Sequence, residues 1–130
     1  MATTPYEQYG GLDITRVAAA TFASSQYLAA KLNSTEGQAA VCSAASDTVL
    51  GIIQDDVASG QASLIRVTGI TKWVASAAIS IGAVVGTTAA GKAVTKSANN
   101  DKIAGIALSA AAADGDIISV LLTPGVYLGA

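Results

Sequence analysis

No stretch of this chain sustains the 3.6-residue apolar period of an amphipathic helix, and that absence constrains the fold more than any other feature. From residue 15 onward, short runs rich in Val, Ile and Thr alternate with Gly, Asn, Asp and Ser, as in Asn33-Ser34-Thr35-Glu36-Gly37 and Ser97-Ala98-Asn99-Asn100-Asp101. β-branched side chains fit a pleated surface, and the intervening residue types suit turns. The texture predicts strands over 16–23, 27–33, 39–43, 49–55, 62–69, 71–75, 79–85, 92–96, 102–108 and 116–122. Short, closely spaced strands make an all-β fold, a small β-barrel or β-sandwich of antiparallel strands. Alanine is the best helix former, and 17–20, 76–78 and 109–113 are alanine-rich. The expectation therefore allows at most one or two short helices.

The sequence also echoes itself. Val49-Leu50-Gly51-Ile52-Ile53 precedes Gly60-Gln61 and then Leu64-Ile65-Arg66-Val67-Thr68-Gly69. Ile103-Ala104-Gly105-Ile106-Ala107 precedes Gly115-Asp116 and then Ile118-Ser119-Val120-Leu121-Leu122-Thr123-Pro124-Gly125. The central glycines lie 54 residues apart (105 minus 51) and the turn glycines 55 apart (115 minus 60). Each copy reads as strand, turn, strand; coincidence within a low-complexity sequence is the competing explanation. A glycine inside a strand, such as Gly51 or Gly105, marks a bulge or a close backbone approach.

A chain of 130 residues suits one domain and can bury a core without metals or disulfides. Residues 1–14 read as an arm and 15–130 as a single β-rich domain. Pro5, Gly10 and Gly11 punctuate the arm, and Tyr6, Tyr9 and Leu12 are its sizeable apolar groups. The arm is either a frayed terminus or an anchor whose tyrosines dock on a neighbouring subunit. Only 12% of residues are charged, about half the share in ordinary soluble domains. Either an Ala/Ser/Thr/Gly surface keeps such a chain soluble, or partners cover much of it, and the second reading is favoured. Trp73 is the sole tryptophan. It serves either as core or as an anchor at a protein interface.

Composition also excludes functions. The net charge is −2 and the seven Lys and Arg residues are scattered, which argues against nucleic acid as a partner. Residues 73–91 carry no charge, but Gly82, Gly86, Ser76, Ser80, Thr87 and Thr88 interrupt them and leucine is absent. That content does not suit a membrane span. The first residues lack the basic start and apolar run of a signal peptide, so synthesis in a cytoplasm is expected. With no histidine and one cysteine, neither a Ser-His-Asp arrangement nor a zinc site can be assembled. Cys42 reads as a small core residue. Asp55-Asp56 and Asp114-Gly115-Asp116 lack the ligand ladder of a calcium loop and read as turn residues. Gly91-Lys92-Ala93 lacks the hydroxyl that ends a phosphate-binding loop. No catalytic residue, cofactor or metal is expected, and the chain reads as a non-enzyme.

Ile79-Ser80-Ile81-Gly82-Ala83-Val84-Val85-Gly86, Gly91-Lys92-Ala93-Val94, Ile103-Ala104-Gly105-Ile106-Ala107-Leu108 and the turn Asp114-Gly115-Asp116 leading into 117–122 together resemble the capsid decoration, or cement, proteins of tailed bacteriophages. The similarity covers roughly residues 48–125, in glycine and aliphatic patterns; the N-terminal half departs more. The resemblance implies a compact β-barrel or β-sandwich, often a homotrimer, bound to the major capsid protein on the outer surface of the virion. Such a protein is made in the host cytoplasm and carries no catalytic residues. Another virion surface component, a head fibre base or a host-adhesion β-domain, is the alternative. Tyr6, Tyr9, Leu12 and Trp73 are the candidate partner-binding residues.

Overall fold

The structure, a computed structural model, describes residues 11–22 and 24–127, with side chains up to Thr123. The described residues form ten strands and no helix. β1 (Asp13–Ala18), β2 (Ala29–Leu32), β3 (Gln38–Val41), β4 (Gly51–Ile53) and β5 (Ala62–Arg66) close into a barrel in the order β1-β3-β2-β4-β5. β6 (Gly69–Val74), β7 (Val84–Thr87), β8 (Ala93–Thr95), β9 (Lys102–Ala107) and β10 (Ile117–Tyr127) form a second sheet in the order β6-β10-β9-β7-β8. The alanine-rich segments lie in strand ends, bends and bridges instead of helical turns.

The pairing corrects one detail of the sequence reading. β1 and β3 are parallel, whereas the other strand pairs are antiparallel. A ring of five strands cannot alternate in direction all the way round, so closure demands one parallel pair. In the second sheet, a parallel bridge from Ala75 to Ala93 ties the end of β6 to β8. Its counterpart in the barrel is the parallel pair Ala18 and Ala39.

With that bridge, the second order becomes β6-β8-β7-β9-β10, which is the first with every label raised by five. The chain is one five-stranded unit built twice. Hydrogen bonds repeat along with the strands. The Gly60 N–H donates to the Ala18 carbonyl at 2.9 Å, and the Gly115 N–H to the Ala75 carbonyl at 2.8 Å. The Ile53 N–H donates to Leu28 and the Ala107 N–H to Ala83, both at 2.9 Å. Turn chemistry repeats too. Asp47 Oδ2 accepts the N–H groups of Ser43 and Ala44, and Asp101 Oδ2 accepts those of Ser97 and Ala98. Gly60 and Gly115 hold φ of 83° and 93°, a left-handed conformation that only glycine adopts without strain.

Alternation along the strands sends one face inward. Ala18, Phe22, Ala30, Ala39, Ile53 and Ile65 fill the first barrel. At equivalent positions Ala75, Ile79, Val85, Ala93, Ala107 and Val120 fill the second unit. The second core extends further, taking in Ala29, Cys42 and Ile52 of the first unit with Trp73, Ala104 and Leu122 of the second. The joint between the units is thus a continuation of the second core. One carbonyl marks it: Gly91 accepts the Ala29 N–H at 2.8 Å and the Trp73 indole Nε1–H at 2.9 Å.

Several strand boundaries move. β1 opens at Asp13 and ends at Ala18, where a strand over 16–23 was expected, so Asp13 and Ile14 of the expected arm lie in the barrel. The expected strand 79–85 is not continuous. Ile79 makes only a bridge to Ala111, Gly82 turns the chain at φ 85°, and β7 starts at Val84. β10 continues past 122 to Tyr127, with a register shift between Leu122 and Val126. Pro124 sits in that interval, where its missing N–H interrupts no ladder bond.

Candidate interaction surface

Of the four expected partner-binding residues, Tyr6 and Tyr9 lie outside the described residues. Leu12 is 58% exposed. Its backbone is held to the segment between β5 and β6: the Val67 N–H donates to the Leu12 carbonyl at 2.9 Å, and the Leu12 N–H donates to Thr68 Oγ1 at 3.1 Å. Trp73 must be reassigned. It is wholly buried, its indole is hydrogen-bonded, and it has no surface to offer a partner.

Two apolar surfaces stand out instead. The first is a groove of about 590 Å³ on the first unit. Ile14 of β1, Leu32 of β2, Val49 and Leu50 before β4, and Val67 after β5 form its apolar wall. Leu32 is 59% exposed. Lys31 and Asp47 stand at its edge as an ion pair of 3.0 Å. Desolvation at Asp47 works against ionisation, but the Ser43 N–H, the Lys31 ammonium and the Ala44 N–H together outweigh it. The carboxyl therefore stays below its ordinary range and the pair persists at neutral pH.

The second surface is a stripe across the outward face of the second sheet. Ile70 faces Leu121, Leu121 faces Ile106, and Ile106 faces Val84 in register over β6, β10, β9 and β7. Leu121 is 38% exposed and Leu108, two residues beyond Ile106, is 37% exposed. Cross-strand neighbours of this kind make a continuous apolar patch. Sequence reasoning missed both surfaces, because which residues face one another depends on register. The matching positions on the first unit, Asp13 and Arg66, carry a two-pronged ion pair of 2.8 and 3.2 Å instead.

The polar groups singled out in the sequence make contacts within their own units. Asp55 accepts from the Ser63 hydroxyl at 2.6 Å, and Asp56 from the N–H groups of Ser25 and Gln26. Asp116 accepts from the N–H groups of Ala112 and Ala113, and Asp114 pairs with Lys92 at 2.9 Å. Among the described residues, no three His, Cys, Asp or Glu side chains converge as a metal site would require. Burial pushes the Cys42 thiol up to about 11, against a hydrogen bond with Thr87 that favours the thiolate. At neutral pH it is a protonated core group, as its sequence context predicted.

A family model described as phage cement protein matches residues 11–122. No curated protein matches the chain. Among solved structures, one described as the crystal structure of head fiber gp8.5 N base in bacteriophage phi29 has a similar fold, with a TM-score of 0.68 at 16% identity. The match covers 86% of this chain and 93% of that one.

Proposed function

Because this chain belongs to the phage cement protein family, we propose that it decorates the outer surface of the phage capsid and clamps neighbouring major capsid protein subunits. The observation that carries this reading is the family match, which spans both β units. The chain is a structural protein of the virion capsid. Its surface supports the assignment. A charged share of 12% leaves a skin of small and apolar side chains, which suits a protein that spends its working life covered by neighbours. Leu12, with Tyr6 and Tyr9 before it, is the proposed anchor of the arm on the capsid. We take the functional unit to be a homotrimer, synthesised in the host cytoplasm before it reaches the head.

Clamping follows from mass action. A protein that binds the assembled shell, and not its dispersed subunits, shifts the balance toward the shell. Joining several copies makes each later contact intramolecular and multiplies the effect. Particles lacking this protein should therefore release their genome at a lower temperature than complete ones, and adding the protein back should restore the threshold. Identical release with and without it would remove the clamping role.

The fold likeness to a head fibre base favours one second reading, that of a base for a fibre on the head. Copy number separates the two. A cement protein approaches the number of capsid subunits, whereas fibres are few.

A further inference from the structure

The two units of the chain dock by different faces, and among the described residues each leaves one docking face uncovered. On the second unit, Thr71, Thr87, Ala104 and Leu122 are buried. The first unit covers that face. Gln54 Nε2 donates to Thr71 Oγ1 at 2.9 Å, and Cys42, Ile52 and Ala29 pack into the same cluster. Strand register gives the equivalents of that face on the first unit as Ile14, Leu32, Leu50 and Val67. Those four all line the open groove.

The covering face repeats in the same way. Ala29 and Ile52, both fully buried, pair with each other between β2 and β4. Val84 and Ile106 pair identically between β7 and β9, yet both are only partly buried. They lie at the centre of the uncovered stripe. Among the described residues, the first unit thus has an acceptor face with nothing seated on it, and the donor pair of the second covers nothing.

We propose that a second copy of this chain seats the donor face of its second unit in the groove on the first unit, repeating between copies the joint found within each. This rests on the proposed self-association of the cement protein and names the surfaces that make it. The contact is heterologous, so copies linked this way close a ring when the rotation permits, and a ring leaves no groove or stripe unused. Burial of one joint inside the chain is the argument for its repetition outside it. Thr71, the equivalent of Ile14, meets Gln54, the equivalent of Leu108. Ile14 of one copy is therefore placed against Leu108 of the next.

Two measurements test this. In a Cys42→Ser background, Ile14→Cys combined with Leu108→Cys should give covalent oligomers on mild oxidation, both in solution and on heads. Either cysteine alone should not give a ladder. Separately, Leu32→Glu places a charge at the exposed lip of the groove and should weaken self-association roughly a hundredfold or more, with an unchanged melting temperature of the dilute protein. Leu64→Glu, on the exposed face of β5 outside the groove, should leave association intact. Absence of the cross-link in solution and on heads alike overturns the proposal, as does full association of the Leu32→Glu protein. In either case, continued binding of the wild-type protein to heads would leave the cement function standing.

Discussion

Trp73→Ala should cost about 4 kcal/mol of folding stability, within the range for emptying a buried aromatic site, and show as a large fall in the urea midpoint with little change in slope. Trp73 is the largest of the fully buried side chains. It lies where the second core runs on into the first unit, so the void would open at the joint as well as in the sheet. The Gly91 carbonyl would keep the Ala29 N–H but lose the indole donor. A domain of this size is stable by about 5–15 kcal/mol, so the loss is a large share of the total. Trp73→Phe, which keeps most of the volume, should recover more than half of it. Because the proposed self-association would add to apparent stability, all variants must be compared at one protein concentration. A midpoint for the alanine variant within error of wild type would show that Trp73 is not the keystone of the joint.

Gly51→Ala should be as damaging, for a different reason. A Cβ at Gly51 would lie 2.2 Å from the Arg66 carbonyl oxygen and 2.9 Å from its carbon. Both are backbone atoms of β5, the strand that pairs with β4 and closes the barrel against β1. No rotamer change can relieve such an overlap; one strand must move. The expected cost is about 3 kcal/mol or more, at the upper end of overpacking, and unfolding curves would record it. Gly105→Ala meets the same obstacle at the Leu121 carbonyl oxygen, 2.5 Å away. Gly60→Ala is the useful contrast. Nothing lies within 4 Å of its Cβ, so only the positive φ is strained, and the loss should be about 1 kcal/mol. Equal losses at Gly51 and Gly60 would contradict the close-approach account.

The paired glycines were also the clearest signal in the sequence. Gly51 with Gly105 and Gly60 with Gly115 keep their spacing because their duties are steric: two sit against a neighbouring backbone and two hold a left-handed turn. Glycine does both at the least steric cost. The rest of the duplication was hidden because packing tolerates exchange. Phe22 corresponds to Ile79, Ile53 to Ala107 and Ile14 to Thr71, so volume is redistributed between the units while the strand order holds. Arg16 and Trp73 occupy equivalent positions opposite Ser63 and Ile118, and no pattern would pair them from sequence. Only the structure shows that Trp73 is sealed by the first unit, whereas Arg16 keeps a buried Nε with no hydrogen-bond partner among the described residues. The aspartates were legible as turn residues, since their chemistry is local. The groove and the stripe were not, since a one-residue change of register would send their leucines and isoleucines to the other face.

The same geometry gives the cement role its physical basis. A rigid doubled barrel offers fixed apolar faces at small entropic cost, which is what a clamp between shell subunits needs. The measurement that bears on it most directly is saturation binding of the purified protein to heads from which it has been removed. Occupancy rising to a plateau comparable to the number of major capsid protein subunits is the predicted result. Heads that take up none, or that fill after a handful of copies, would contradict it.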